Sequence, residues 1–144
     1  MKEHFKEYNE LGERIEELEA KLQDINIDLY NIGSVAFDRI PSEPSQRDIT
    51  LVKISEKQDL EKEIYKLKTR KNDLYIMHLN EISLVDCNVY RRILRCWYLL
   101  KMPIPQIESA TGYRRSQIYK LKKEADEEFR KALINIGQER TTSD

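Results

Sequence analysis

Apolar residues recur at alternating spacings of three and four positions through the first part of the chain. Eight positions follow this rule without a break: Tyr8, Leu11, Ile15, Leu18, Leu22, Ile25, Leu29 and Ile32. Such a heptad seam predicts one long amphipathic helix over residues 5–32, ended by Gly33. A seam this regular must be covered by another helix, which the same chain or a partner chain can supply, and the pattern leaves both possibilities open.

A second helix is predicted after a short connection. Residues 33–48 are the longest loop-like stretch, because Pro41 and Pro44 interrupt a continuous helix. Helix-spaced apolar residues follow between residues 47 and 80: Ile49, Val52, Leu60, Ile64, Leu67, Leu74 and Met77. The length of this helix and the short connector favour an antiparallel return along the first helix. We therefore expect residues 1–80 to form a coiled-coil-like antiparallel helical hairpin.

The pattern changes after residue 80. Residues 84–100 are apolar around most of a helical circumference, which predicts a buried scaffold helix containing Trp97. A linker with Pro103 follows, then a short helix with Pro105 in its first turn, and after Gly112 a last helix from about residue 114 to 134. These features predict a second domain over residues 81–136 and an all-α fold for the whole chain. The polar residues 137–144 are expected to be a disordered tail.

Charge is distributed unevenly along the chain. The formal net charge is −1, and residues 1–48 carry a net charge of −6. Residues 91–123 contain nine lysines and arginines against one acidic residue, a net charge of +8. A local positive field of this kind attracts phosphates, so the basic segment is the part of the chain where a nucleic acid is expected to bind.

The basic segment contains the pattern of a helix-turn-helix between residues 104 and 123. The helix after Gly112 opens with side chains that can bond base edges in a major groove. The residues expected to read bases are Arg114, Arg115, Ser116, Gln117, Tyr119 and Lys120. Contacts to the DNA backbone are expected from Arg91, Arg92, Arg95, Lys101, Thr111, Lys122 and Lys123. Phosphate contacts would supply affinity, while the base contacts would supply sequence preference.

These residues carry a resemblance to known families. Residues 91–133, with RRILRCWYLL followed by I-x-x-A-x-G-Y-R-R-S-Q-I-Y-x-L, resemble region 4 of the bacterial sigma-70 factors, which reads promoter DNA through a helix-turn-helix. Glu108 stands where that motif commonly has a small residue. The layout of the whole chain is similar to small phage-encoded transcriptional regulators, the RinA/ArpU-like late-gene activators. The resemblance implies double-stranded DNA and host RNA polymerase as partners, and the cytoplasm of a bacterial host cell as location.

Other functional classes lack support in the sequence. No P-loop, GxSxG or HExxH motif is present, so we expect no enzymatic activity and no cofactor. His4 and His78 have no neighbours at ligand spacing, so we expect both near the surface and no metal site. Cys87 and Cys96 form no CxxC pair and are expected to be buried, reduced thiols. No apolar run is long enough to span a membrane.

Two alternatives to a transcriptional regulator remain open at this stage. A small terminase subunit also joins a helix-turn-helix to helical oligomerisation elements, but it recognises packaging sites rather than promoters. A coiled-coil adaptor would bind only protein; the long seam favours it and the basic segment does not. For the regulator and for the terminase subunit, the hairpin is expected to form a homo-oligomer.

Overall fold

The chain is all-helical in the part that the structure, a computed structural model, describes. It describes residues 1–36 and 44–142, and within these ranges it contains no β-strand. Helix α1 spans Lys6–Ala36, α2 spans Pro44–Ile82 and α3 spans Asn88–Leu94. A π-helical turn, Arg95–Leu99, follows α3, and the chain continues as α4, Ile104–Thr111, and α5, Arg115–Thr142. The all-α prediction is confirmed.

The segment that connects α1 to α2 is shorter than the sequence predicts. Helix α1 continues through Gly33 to Ala36, and α2 already begins at Pro44. A glycine inside a helix costs only about 1 kcal/mol relative to alanine, which a long helix tolerates. Proline is compatible with a first helical turn because its missing N–H has no intrahelical partner there. Much of the predicted 33–48 loop is therefore helical, and residues 37–43 lie outside the described residues.

Residues Glu7–Asn72 form one compact unit of the chain. Four members of the predicted seam are buried there, namely Tyr8, Ile15, Leu18 and Ile25. Exposed ion pairs join Glu7 to Arg70 (3.0 Å), Arg14 to Glu63 (3.8 Å) and Asp28 to Lys53 (3.1 Å). The residue numbers of the α2 partners decrease as those of the α1 partners increase, so the two helices run in opposite directions. The buried seam positions are thus covered within a single chain.

The apolar positions predicted for α2 are covered less completely. Ile64 and Leu74 are buried, whereas Ile49, Val52 and Met77 are exposed by about half of their surface. Other large apolar side chains near the α1–α2 connection are exposed as well: Ile27, Tyr30, Leu51 and Ile54. Helical spacing alone therefore does not show which apolar residues of α2 are buried.

Residues Met1–Lys6 and Asp73–Asp144 form the other compact unit, a division that differs from the expected boundary at residue 80. One cluster of buried residues contains Ile93, Cys96, Ile107 and Ile118, with Trp97 packed against it. A second cluster is aromatic. The rings of Phe5 and Tyr98 stack at 4.6 Å, and Phe129 lies 6.0 Å from Phe5. Helix α5 supplies a residue to both clusters and continues to Thr142, through most of the segment expected to be a disordered tail.

The turn between the scaffold helix and α4 is not encoded by glycine. The π-helical turn ends with the Leu100 N–H bonded to the Arg95 carbonyl oxygen at 2.9 Å. Lys101 then adopts a φ of +48°, in the left-handed region that non-glycine residues rarely occupy. The Met102 N–H bonds to the Cys96 carbonyl oxygen at 2.9 Å and closes the turn. Two hydrogen bonds therefore hold Lys101 in a backbone conformation that its sequence does not favour.

Gly112 provides a test of the turn between α4 and α5. Its φ is +78°, and no atom would lie within 4 Å of an added Cβ. We expect Gly112→Ala to lower the free energy of unfolding by about 1 kcal/mol, through the left-handed backbone alone rather than through a clash. The matched control is Gly137→Ala on α5, which also has open space around the Cβ and should be neutral or slightly stabilising. Urea unfolding of both variants measures the difference; equal effects would contradict the expectation.

Candidate nucleic-acid interface

The start of α5 is held against α4 by a short, well-bonded turn. The Gly112 N–H donates to the carbonyl oxygen of Glu108 at 2.8 Å and caps α4. The hydroxyl of Thr111 donates to the carbonyl oxygen of Ile107 at 2.6 Å and accepts the Tyr113 N–H at 3.3 Å. Ile107 on α4 and Ile118 on α5 are both fully buried. The two helices are therefore fixed to the same core, and the first turns of α5 project from a rigid base.

Gln117 has a structural role at the beginning of α5. Its Oε1 accepts the backbone N–H of Arg114 at 3.2 Å, and the Ile118 N–H donates to the Arg114 carbonyl oxygen at 3.0 Å. This is the glutamine half of a capping box, in which the third helical residue reaches back to the N-cap. Gln117 was expected only to read bases. In the structure its side chain stabilises the N-terminal end of α5, where Arg114 and Arg115 lie.

One face of α5 carries a row of exposed polar and basic side chains. Ser116, Lys120 and Lys123 are exposed and follow one another at spacings of four and three. They lie opposite the buried positions Ile118 and Ala125, as the helical period requires. The next residue on the same face is Glu127, so the charge along this face changes from positive to negative after Lys123.

Arg115 and Tyr119 form a cation–π pair beside this row. The Arg115 guanidinium lies 5.7 Å from the centre of the Tyr119 ring, one helical turn away. The Tyr119 ring in turn meets Trp97 edge-on, with ring centres 5.8 Å apart. Arg115 is exposed, whereas Trp97 is packed on the buried cluster. The Tyr119 ring therefore lies between an exposed guanidinium and a residue packed on the core.

The residues expected to contact the DNA backbone fall into two groups. In the first group the side chain already has a partner within the protein. The guanidinium of Arg91 donates to the Val85 carbonyl oxygen at 2.6 Å, and that of Arg92 donates to the Ala110 carbonyl oxygen. Thr111 belongs to the turn described above. The second group is Arg95, Lys101 and Lys123, whose side chains are exposed.

Lys122 also belongs to the first group. Its Nζ pairs with Asp126 at 3.0 Å and lies 5.0 Å from the centre of the Trp97 ring. Asp126 also accepts the hydroxyl of Tyr98 at 2.8 Å. Burial of Tyr98, and then its bond to Asp126, raise the pKa of that hydroxyl well above its usual range. These contacts fix α5 to the scaffold helix, so Lys122 acts within the fold, while Lys120 and Lys123 face outward.

The structure also groups residues that the sequence interpretation kept apart. Both histidines were expected near the surface, and that prediction is wrong for His78, whereas His4 is partly exposed. His78 is buried, at 2% exposure, and both rings are hydrogen-bonded to Glu81. The H-x-x-E spacing of His78 and Glu81 on α2 was a visible signal, since residues three apart share a helix face. The third member, His4, is 77 residues from Glu81 in sequence, and no local pattern could add it.

Comparison with protein-family models, with curated proteins and with solved structures finds no match to this chain. Within residues 1–36 and 44–142, none of the helices combines the length and apolarity needed to cross a membrane. The resemblance to sigma-70 region 4 and to RinA/ArpU-like regulators stays a prediction.

Proposed function

We propose that this protein is a sequence-specific DNA-binding transcriptional regulator. In this proposal α4 and α5 form a helix-turn-helix, and the start of α5, up to Lys123, enters the major groove. The observation that carries it is the basic segment from Arg114 to Lys123 at the start of α5. Its exposed side chains are held in place by Gln117 and by the buried Ile107 and Ile118. A recognition helix requires this combination of exposed donors and a rigid base.

Base recognition is assigned mainly to Arg115. A guanidinium can donate two parallel hydrogen bonds to O6 and N7 of guanine, the commonest specific contact in a major groove. The cation–π contact with Tyr119 supports this role because it favours a side-chain conformation of Arg115 before DNA binds, which lowers the conformational entropy lost on binding. Arg114, Ser116 and Lys120 are exposed beside it and can reach neighbouring bases. The Gln117 amide can bond a base only if it gives up its hydrogen bond with the Arg114 N–H and bonds an adenine edge instead.

The length of the basic row is compatible with one groove crossing. Nine residues from Arg115 to Lys123 extend about 13 Å along a helix, close to the major-groove width of about 12 Å. Glu124, Glu127 and Glu128 follow, and their charge would repel phosphates beyond that point. Arg95, Lys101 and Lys123 are exposed and are assigned to phosphate contacts. The acidic segment of α5 at residues 124–128 would therefore limit DNA to the first three turns.

The α1–α2 hairpin is assigned to protein contacts in the same proposal. Its charge is unfavourable for DNA, because residues 1–48 carry a net charge of −6. Exposed apolar side chains near the α1–α2 connection, including Leu51 and Val52, support self-association. We include a homo-oligomer, contact with host RNA polymerase and a bacterial host cytoplasm in the proposal.

Selection from a random pool of DNA duplexes tests the DNA-binding part. We expect the purified chain to enrich one sequence, with affinity that falls steeply as salt concentration rises. Lys120→Glu with Lys123→Glu should abolish binding, because two exposed cations become anions. Lys62→Glu with Lys66→Glu changes the net charge equally on the exposed side of α2 and should leave binding unchanged. Failure to enrich any sequence, or equal loss in both double variants, would refute the proposal. Light scattering of the selected complex gives its stoichiometry.

A reporter assay tests the regulatory part separately. Promoters containing the selected sequence should change their transcription when the protein is co-expressed, and the Arg115→Ala variant should reduce that change. DNA binding without any effect on transcription would exclude a promoter regulator and leave the DNA-binding part of the proposal intact. That result is expected for a packaging protein.

A further inference from the structure

Three potential metal ligands converge on one point beside the aromatic cluster. His4 Nε2 lies 2.9 Å from Glu81 Oε1, and His78 Nδ1 lies 2.7 Å from the same oxygen. One ligand atom from each residue lies within 4.8 Å of the others. His78 and Glu81 are on adjacent turns of α2, and His4 is in the turn before α1. Two imidazole nitrogens and a carboxylate oxygen therefore lie close enough together to bind one ion.

The surroundings of these three residues are largely apolar. His4 packs edge-on against Phe5 at 5.2 Å and against Phe129 at 5.6 Å. The His78 ring lies 4.6 Å from Phe5, and its side chain is 3% exposed. The side chains of His4 and Glu81 are 30% and 21% exposed, which leaves a path from solvent. An apolar wall on one side and an opening on the other are features of protein metal centres, since the wall lowers the local dielectric.

We propose that His4, His78 and Glu81 bind a divalent transition-metal ion, with Zn²⁺ as the best fit. Two histidines and one glutamate are an established zinc donor set, which leaves a fourth position for water or another ligand. Ligands at about 2.0–2.2 Å in a tetrahedron are about 3.3–3.5 Å apart. The observed separations of 2.7 and 2.9 Å from Glu81 Oε1 need to open by less than 1 Å. The two imidazole nitrogens lie within 4.8 Å of each other and need to approach by at most about 1.5 Å. Side-chain rotation of the partly exposed His4 and Glu81 can provide this.

A metal at this position would join the N-terminal turn to the end of α2. The site is formed only when residues 1–6 are folded against residues 78–81, so the binding free energy would add to the stability of this unit. The proposal is independent of DNA binding, because none of the three ligands belongs to the basic face of α5.

Calorimetric titration of the untagged, chelator-treated full chain with Zn²⁺ tests the site. We expect one ion per chain and a thermal unfolding midpoint that rises with Zn²⁺ concentration, whereas Mg²⁺, which prefers oxygen ligands, should have little effect. His4→Gln and Glu81→Gln each remove one ligand with little change in volume and should weaken Zn²⁺ binding by about tenfold or more. The matched control is Glu127→Gln, an exposed carboxylate of the same unit, which should bind Zn²⁺ like the unmodified chain.

The histidines also allow a spectroscopic test. Co²⁺ in place of Zn²⁺ should give the visible absorption of a four-coordinate ion with nitrogen ligands, and this should be lost in His4→Gln. Circular dichroism of each metal-free variant shows whether it is folded, so a misfolded variant is not mistaken for a lost ligand. No Zn²⁺ binding by the unmodified chain, or equal binding by the ligand and control variants, would overturn the proposal and leave a hydrogen-bonded cluster only.

Discussion

Leu18→Asp is expected to lower the free energy of unfolding of the α1–α2 unit by about 4 kcal/mol or more. Leu18 is the most deeply buried member of the seam, at 1% exposure. The substitution removes the packing of a full leucine side chain and buries a carboxylate for which the seam offers no cation. Each effect alone costs about 2–5 kcal/mol, which is a large part of the total stability of a small domain. Urea unfolding followed by circular dichroism measures the loss.

The matched control is Leu51→Asp on α2. Leu51 is 60% exposed, so the same substitution should change the free energy of unfolding by less than about 0.5 kcal/mol. Sedimentation of the control variant adds information about self-association: if exposed apolar residues near the α1–α2 connection form the oligomer, Leu51→Asp should dissociate it without unfolding the chain. Similar losses of stability in both variants would contradict the single-chain burial of the seam.

Arg115→Ala is expected to remove most of the discrimination between the selected duplex and a scrambled one. A bidentate contact to guanine contributes about 1–3 kcal/mol, so the ratio of the two affinities should fall by about 5- to 150-fold. The fold should be retained because Arg115 is exposed. Binding to the scrambled duplex should weaken only slightly, since phosphate contacts supply that affinity. Fluorescence anisotropy titrations against both duplexes give the ratio.

Two controls separate base reading from charge and from helix capping. Arg130→Ala removes an exposed arginine of α5 beyond its acidic residues 124–128 and should leave discrimination unchanged. Gln117→Ala removes the cap of the Arg114 N–H and should cost about 1 kcal/mol of stability. Gln117→Glu keeps an acceptor for the cap but loses the amide donor that adenine N7 requires. Unaltered discrimination in both Arg115→Ala and Gln117→Glu would exclude the beginning of α5 as the reading surface.

Periodicity predicted much of the helical content because it depends on residues that are near one another in sequence. The eight-residue seam located α1, and Pro105 and Gly112 located α4 and the turn after it. Burial at Ile107 and Ile118 also follows from the local pattern. The local pattern placed Gly33 and Pro44 in a loop, and that prediction is wrong, since both residues are helical. A long helix can tolerate one unfavourable residue, and a first turn accepts proline.

The candidate site could be predicted in residue type but not in role. Composition alone indicated the basic segment and its arginines and lysines. Only side-chain geometry showed that Arg91, Arg92 and Lys122 bond within the protein, while Lys120 and Lys123 are exposed. Such choices depend on which carbonyl or carboxylate lies within about 3 Å, a distance set by the packing of α3, α4 and α5.

By itself, the sequence determined an all-α chain with an acidic seam-bearing part and a basic segment near its C-terminal end. Those properties are sums over neighbouring residues, and helical period and net charge need no tertiary information. The tertiary structure decided that the buried positions of the seam are covered within one chain and that Gln117 caps α5. It also brought His4 to His78 and Glu81, across more than half of the chain. Contacts at that separation depend on how whole helices pack, which no local spacing records.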